Sequence, residues 1–200
     1  MNQIILASTS IYRQQLFAKL GIDFSVERPD YDEEAAKKKA LIDFKTPLEI
    51  AETLSRGKAR SVMHHKVGER VMVIGGDQLV DFNHEIIGKA DNHDAAFEQL
   101  KKMNGQIHDL ITAVTLITPT ETRHFNHITK MTMKQLSDHE IIHYLKKDEP
   151  YDCAGSYKIE KSGIALFSRI DCTDFTAIQG LPLLWVSQQM KELGYELFKK

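Results

Sequence analysis

The chain carries an aspartate placed for acid–base work. Asp77 follows an apolar run, Val71 to Ile74, and a glycine pair, Gly75-Gly76. Polar groups at the carboxyl end of a strand, beside glycines, face a crevice in many α/β folds. Asp32, Glu33 and Glu34 form a second acidic cluster. Two acidic loops meeting in space would hold a divalent cation, Mg²⁺ or Mn²⁺, through oxygen ligands. A further carboxylate could take the proton from an attacking water. The plainer alternative is that Asp32 to Glu34 only open a charged helix that runs through Lys37-Lys38-Lys39, and Glu34 is read that way.

A phosphate site is expected at Ser8-Thr9-Ser10-Ile11-Tyr12-Arg13, between a strand and a helix. Small hydroxyl residues there expose backbone N–H groups, and a helix N-terminus adds partial positive charge. Arg13 can fork two phosphate oxygens. The alternative is a serine-capped helix with a surface arginine. Lys58 follows Arg56-Gly57 and Lys89 follows Gly88. Glycine beside lysine lets backbone approach a ligand closely, and lysine supplies a point charge.

One motif competes. His139-Glu140-Ile141-Ile142-His143 matches the zinc-protease helix signature. At 3.6 residues per turn, Ile141, Ile142, Tyr144 and Leu145 share the apolar side. The two histidines then fall opposite, beside Lys146 and Lys147, and Glu140 falls where it would cap a helix starting after Ser137. The protease reading is set aside on that geometry. Cys153 and Cys172 make neither a disulfide framework nor a four-thiolate zinc site. Cys153 is read as a buried small residue rather than a nucleophile.

With 200 residues the chain can bury a real core as one domain, or as two small lobes sharing a cleft. A hydrophobic share of 42% and a charged share of 27% argue against disorder. A net charge of −2 gives no global pull toward nucleic acid or anionic membrane, so a polyanion must be gripped by a local basic cluster. No apolar run approaches the roughly 18 residues of a membrane span, and no signal peptide is evident. A reducing cytoplasm is the expected location.

The elements alternate, which predicts an α/β or mixed α+β fold. Ile4 to Leu6 and Phe24 to Val26 read as strands around a helix that buries Leu16, Phe17 and Leu20 and ends at Gly21. Thr46 to Glu49 is a capping box with proline at the first helical position. Val71 to Ile74 reads as a compact strand broken by Gly75-Gly76, and Leu79 to Ile87 as a hairpin around Asn83-His84. Asn92 caps a helix that stops at Asn104-Gly105. Leu110 to Thr118 and His124 to Met133 are extended. Ser137 to Glu140 is a second capping box. Gly163 to Ile170 is a strand, and a last helix from near Pro182 buries Leu183, Leu184, Val186 and Met190.

The pieces occur in one order: Leu6-Ala7-Ser8-Thr9-Ser10 with Arg13, Pro29-Asp30-Tyr31-Asp32-Glu33, Arg56-Gly57-Lys58-Ala59, Gly76-Asp77-Gln78, Gly88-Lys89, and Cys153-Ala154-Gly155-Ser156-Tyr157-Lys158-Ile159-Glu160. This set resembles the Maf family of nucleotide pyrophosphatases, from about Ile4 to Gly194. The resemblance implies one Maf-like domain over residues 1–200, with an elongated mixed β-sheet flanked by helices and two lobes around a nucleotide cleft, a Maf/ITPase-like architecture. It implies hydrolysis of a nucleoside triphosphate to monophosphate and pyrophosphate with a divalent metal cation. Asp77 matches the family's general base. Ser8, Ser10, Arg13, Lys58 and Lys89 match phosphate-facing positions, and Glu33 the acidic cleft position, so Glu33 and Asp77 are the expected metal ligands. No nucleic acid or membrane partner is implied, and a homodimer is left open.

Tyr12, Gln78 and Glu160 match the positions that sort the family by base. The pyrimidine branch usually carries Arg, Thr and Gln there, and the 7-methyl-GTP branch an aromatic, Gln and Glu; this chain resembles the second. It departs from the pattern at Ile11, usually proline, at Tyr12, usually tryptophan, and at Gly76, usually serine or alanine. A tyrosine face can stack on the cationic ring of N7-methylguanine, worth about 0.5–2 kcal/mol. Glu160 accepts only, which suits the paired N–H donors of guanine's Watson–Crick edge. Gln78 can donate to O6. Two other functions remain at this stage: a dTTP/UTP pyrophosphatase of the same family, and a non-catalytic nucleotide-binding regulator of cell division.

Overall fold

The computed structural model describes residues 3–43, 45–66 and 71–198. The elements follow as β1 (Gln3–Ala7), α1 (Ile11–Ala18), β2 (Ser25–Glu27), α2 (Glu33–Ile42), α3 (Pro47–Met63), β3 (Val71–Phe82), β4 (Glu85–Ile87), α4 (His93–Met103), β5 (Ile107–Ile117), β6 (Thr122–Met133), α5 (Asp138–Asp148), β7 (Phe167–Asp171), α6 (Phe175–Ile178) and α7 (Leu183–Glu192). Among the described residues, seven strands form one mixed sheet in the order β2-β1-β3-β5-β6-β7, with β4 paired to β3. The α/β expectation holds. Among the described residues no helix is long and apolar enough to cross a membrane.

The chain divides into two compact units, and β3, β5 and β6 each contribute residues to both. Unit one holds residues 1–77, 112–127 and 174–200. Here β1 pairs in parallel with β2 and with β3, in a register that sets Ala7 opposite Gly75. One core cluster packs Leu16 and Phe17 of α1, Met72 and Ile74 of β3, and Val186 and Met190 of α7. A second packs Ile5, Val71 and Val73 against Ala59 and Val62 of α3. The α3 capping box forms as its sequence predicts, with Thr46 and Glu49 exchanging bonds.

Unit two holds residues 78–111 and 128–173. Asn83 and His84, both at positive φ, turn β3 into β4. Asn92 caps α4, and Ser137 and Glu140 form the α5 capping box. Ile141, Tyr144 and Leu145 are buried while His139 and His143 are exposed, the orientation that 3.6-residue periodicity predicts.

Three local expectations are corrected. Gly75-Gly76 does not break a strand: β3 runs unbroken from Val71 to Phe82. A Cβ on Gly75 would stand 2.5 Å from Ser55 O and 2.7 Å from Ala59 N. The glycine serves close approach of α3 to β3, not a turn. Ser162–Leu166 is a 3₁₀ helix and only Phe167 onward is strand. Its start is drawn into a turn by bonds from Ser162 to Asp148 and from Gly163 N to Lys158 O. Leu184 is 63% exposed, because the buried stripe of α7 runs through Leu183, Val186 and Met190 and leaves Leu184 on the opposite side.

Candidate active site

In unit one the chain leaves β1 at Ala7 into the turn that opens α1. Ser8 is buried, and its Oγ accepts from Ser10 N at 3.1 Å. Ser10 caps α1, its Oγ accepting from Arg13 N at 3.4 Å. The serine cap of the plainer reading is therefore realised, at the position also expected to face phosphate, but Arg13 is half-buried and not a surface arginine. Ile11, where the family usually has proline, is the exposed first residue of α1, and the serine cap starts the helix without the ring. Tyr12 is half-buried on that first turn.

Arg13 is aimed by backbone. Its Nε donates to Gly180 O at 3.0 Å, and its two Nη groups have no partner among the described residues. Gly180 has φ +110°, and a Cβ there would lie 3.2 Å from Arg13 Cγ and Nε. A Cβ on Gly76, the glycine that departs from the family pattern, would meet Leu181 Cδ2 at 3.1 Å and the same Nε at 3.4 Å, an ordinary contact distance. Burial lowers the Arg13 pKa, and the Asp77 and Glu33 carboxylates oppose that shift, which places all three in one field.

Asp77 lies inside β3, two residues past Gly75, where the pairing with β1 ends. It is buried, and its Oδ1 accepts from Lys58 Nζ at 2.7 Å. The same ammonium lies 2.8 Å from Glu33 Oε2. Lys58 projects from α3 with its side chain 7% exposed, while the Glu33 side chain is 51% exposed at the first turn of α2. Asp32 caps α2 through Ala35 N, and Glu34 is exposed, as read from the sequence. Asp77 Oδ2 is buried without a hydrogen-bond partner. Burial raises the Asp77 pKa; Lys58 and Arg13 oppose it without cancelling it, and Glu33 adds to it.

Among the described residues no group of three or more His, Cys, Asp or Glu could hold a metal ion. Mg²⁺ needs only one or two carboxylates when substrate phosphates and waters complete its shell. The Glu33–Asp77 pair has hard oxygens and one orphaned buried acceptor, so the donor set fits such an ion.

Sequence reasoning missed two groups here. Tyr31 is one: burial raises its phenol pKa, and the Asp77 and Glu33 charges raise it further. A Cβ on Gly57 would lie 2.1 Å from the Tyr31 ring, so Gly57 makes room for tyrosine and not for a ligand. Tyr31 also borders a depression of about 980 Å³ on the outer side of α3, lined by Glu52, Arg56, Arg60 and His64 but by none of Arg13, Glu33, Lys58 or Asp77. The other is the Gly180 carbonyl, 167 residues from the arginine it orients. Only the motif Pro29 to Glu33 around Tyr31 gave any signal.

Unit two holds Gln78, Lys89 and Glu160. Gln78 is half-buried in β3, and Lys89 is exposed. The Gly88-Lys89 segment is tied to the Cys-Ala-Gly-Ser segment: Lys89 bridges Ala154, Gly155 N donates to Gly88 O at 3.4 Å, and Gln99 bonds both Gly88 O and Ser156 Oγ. Glu160 stands on the turn between Lys158 and Gly163. Burial raises its pKa, opposed by its own backbone N–H and by Lys158. Cys153 is half-buried rather than buried, and burial with Asp152 pushes its thiol up to about 12, so it stays protonated. In the zinc-protease motif, Glu140 is spent on Ser137 N and Oγ, each at 2.8 Å, and His143 Nδ1 donates to His139 O at 2.8 Å.

Comparison with known proteins gives the class. The Maf-like protein family model matches residues 3–193, and the chain belongs to that family. A 7-methyl-GTP pyrophosphatase of Bdellovibrio bacteriovorus is 48% identical over 183 residues, covering 92% of this chain and 93% of that one. Proteins of the same description from Xanthomonas oryzae pv. oryzae and a Polaromonas species are 37% and 38% identical. Each covers 98% of this chain, with 100% and 86% of their own lengths aligned. Among solved structures, that of the Staphylococcus aureus Ham1 protein aligns at 14% identity with a TM-score of 0.47, covering 94% of this chain and 99% of that one.

Proposed function

We propose that this protein is a cytoplasmic nucleoside triphosphate pyrophosphatase that hydrolyses 7-methyl-GTP to 7-methyl-GMP and pyrophosphate. The observation that carries the chemistry is Asp77, a buried carboxylate whose Oδ1 is held by Lys58 and whose Oδ2 is unpaired. Full-length similarity to proteins described as 7-methyl-GTP pyrophosphatases supports the substrate.

Water attacks the α-phosphorus, and Asp77 Oδ2 takes its proton. The bond from that phosphorus to the bridging oxygen breaks, and the electron pair leaves with pyrophosphate. Arg13, with Nε fixed by Gly180, offers its free Nη pair to phosphate oxygens. Lys58 and Lys89 add charge against that shifting onto the leaving group. Ser8 and Ser10 line the start of α1, whose N-terminus favours an anion. Glu33 and Asp77 would hold a divalent cation, Mg²⁺ or Mn²⁺, which when bound supplies charge neutralisation at the phosphate and a more acidic water. For the base, Tyr12 offers a stacking face, Glu160 accepts from the guanine N–H pair, and Gln78 donates to O6.

The test is Glu160→Gln assayed on 7-methyl-GTP and UTP. The reading expects the preference for 7-methyl-GTP to collapse; an unchanged preference would sink the base assignment.

A further inference from the structure

Glu160 sits on a turn that is tied down far more firmly than an exposed loop requires. The turn runs from Lys158 to Gly163, and its neck is closed by one carbonyl: Lys158 O accepts from Lys161 N at 3.2 Å and from Gly163 N at 3.0 Å. A Cβ on Gly163 would lie 2.4 Å from that oxygen, so the closure requires glycine.

Both feet of the turn stand on the C-terminal end of α5. At one foot, Lys158 N donates to Tyr144 Oη at 2.9 Å, and Lys158 Nζ reaches Glu149 O at 3.2 Å and Asp152 Oδ1 at 2.7 Å. At the other, Asp148 accepts twice from one residue, from Ser162 N at 2.9 Å and from Ser162 Oγ at 2.7 Å. Lys161 Nζ adds a bond to Asp148 O at 3.2 Å. Two lysines thus cover carbonyls at the negative end of the helix dipole, where cations are favoured. Asp148 and Lys158 are buried at 3% and 8% exposure.

What the turn presents is one carboxylate. No other residue hydrogen-bonds the Glu160 side chain among the described residues. A buried carboxylate is tolerated only when its oxygens are hydrogen-bonded, and loss of either partner would leave the other unsatisfied, so Asp148 and Ser162 fix each other. Both Asp148 oxygens are taken by Ser162, so this carboxylate is committed to holding the turn.

We propose that Asp148 is a specificity-positioning residue: by clamping Ser162 to the end of α5 it fixes the Lys158–Gly163 turn, so that Glu160 is held ready for the paired N–H donors of a guanine edge. This rests on the reading of Glu160 as the base-contacting carboxylate. The device works because a carboxylate on a mobile loop must be ordered at each binding event, whereas one on a braced turn is already in place.

The experiment compares kcat/KM for 7-methyl-GTP and UTP in Asp148→Ala, Asp148→Asn, Ser162→Ala and Glu160→Gln, with the melting temperature of each. Asp148→Ala should lower the 7-methyl-GTP to UTP ratio about tenfold, mostly through a higher KM for 7-methyl-GTP. Asp148→Asn should restore it, because Asn Oδ1 can accept from Ser162 N and Nδ2 can donate to Ser162 Oγ. Ser162→Ala, a smaller lesion, should fall between and serves if Asp148→Ala does not fold. If Glu160→Gln abolishes the preference while folded Asp148→Ala or Ser162→Ala keeps it, the positioning role is overturned and the base reading stands. If Glu160→Gln leaves the preference intact, the base reading fails and the positioning role falls with it.

Discussion

Lys58 Nζ donates to Asp77 Oδ1 at 2.7 Å, and this bond leaves Oδ2 as the unpaired oxygen of a buried carboxylate. One lysine therefore both orients the carboxylate proposed as the base and limits how far burial raises its pKa. Its other contact, to Glu33 Oε2 at 2.8 Å, links α2, α3 and β3 of unit one around a single ammonium.

The pH profile should carry the mark of this arrangement. Burial raises the Asp77 pKa despite Lys58 and Arg13, and Glu33 adds to the rise. A raised pKa keeps the acid protonated to higher pH, so the acid limb of kcat/KM should lie above the roughly 3.9 of an ordinary aspartate. Lys58→Met removes the charge that opposes burial. Residual activity should then show the limb moved further up; a downward move would contradict the arrangement.

Gly75→Ala should separate α3 from β3. The added Cβ meets backbone atoms, Ser55 O and Ala59 N, which cannot rotate away. We expect a loss of about 1–3 kcal/mol in urea denaturation and a fall in turnover, as Lys58 is drawn back from Asp77. Full stability with full turnover would show that the close approach is dispensable.

His108 should make stability depend on pH. It is buried, and burial lowers its pKa to about 4. The folded value lies below the unfolded one, so the unfolded chain binds the extra proton between pH 6.5 and 4. Stability is full above 6.5 and declines toward 4, by on the order of 3 kcal/mol. His108→Gln should flatten that slope in denaturation curves taken across the range; an unchanged slope would assign it elsewhere.

Much of this was legible in the sequence because it is local. Thr46-x-x-Glu49 and Ser137-x-x-Glu140 formed their capping boxes, and Asn83-His84 turned its hairpin. Lys58, Asp77, Glu33 and Arg13, flagged by type and neighbours, do share one field. What stayed hidden depends on contacts between distant residues. Gly75-Gly76 looks like a strand break until Ser55 and Ala59 are seen above it. Nothing near Arg13 points to Gly180, and nothing near Gly57 points to the Tyr31 ring that fills its space. The Gly163–Ile170 segment reads as a strand by composition, and only the bonds from Asp148 and Lys158 bend its start into a helix.

The most direct test combines substrate and base in one assay. Wild type and Asp77→Asn would be given a panel of natural and modified triphosphates with Mg²⁺, scored for pyrophosphate release and for nucleotide binding. The account predicts 7-methyl-GTP as the best substrate of wild type, with turnover in Asp77→Asn lower by about 10²–10⁴-fold and nucleotide affinity retained. Turnover in Asp77→Asn equal to wild type would contradict it, as would a pyrimidine triphosphate as the best substrate.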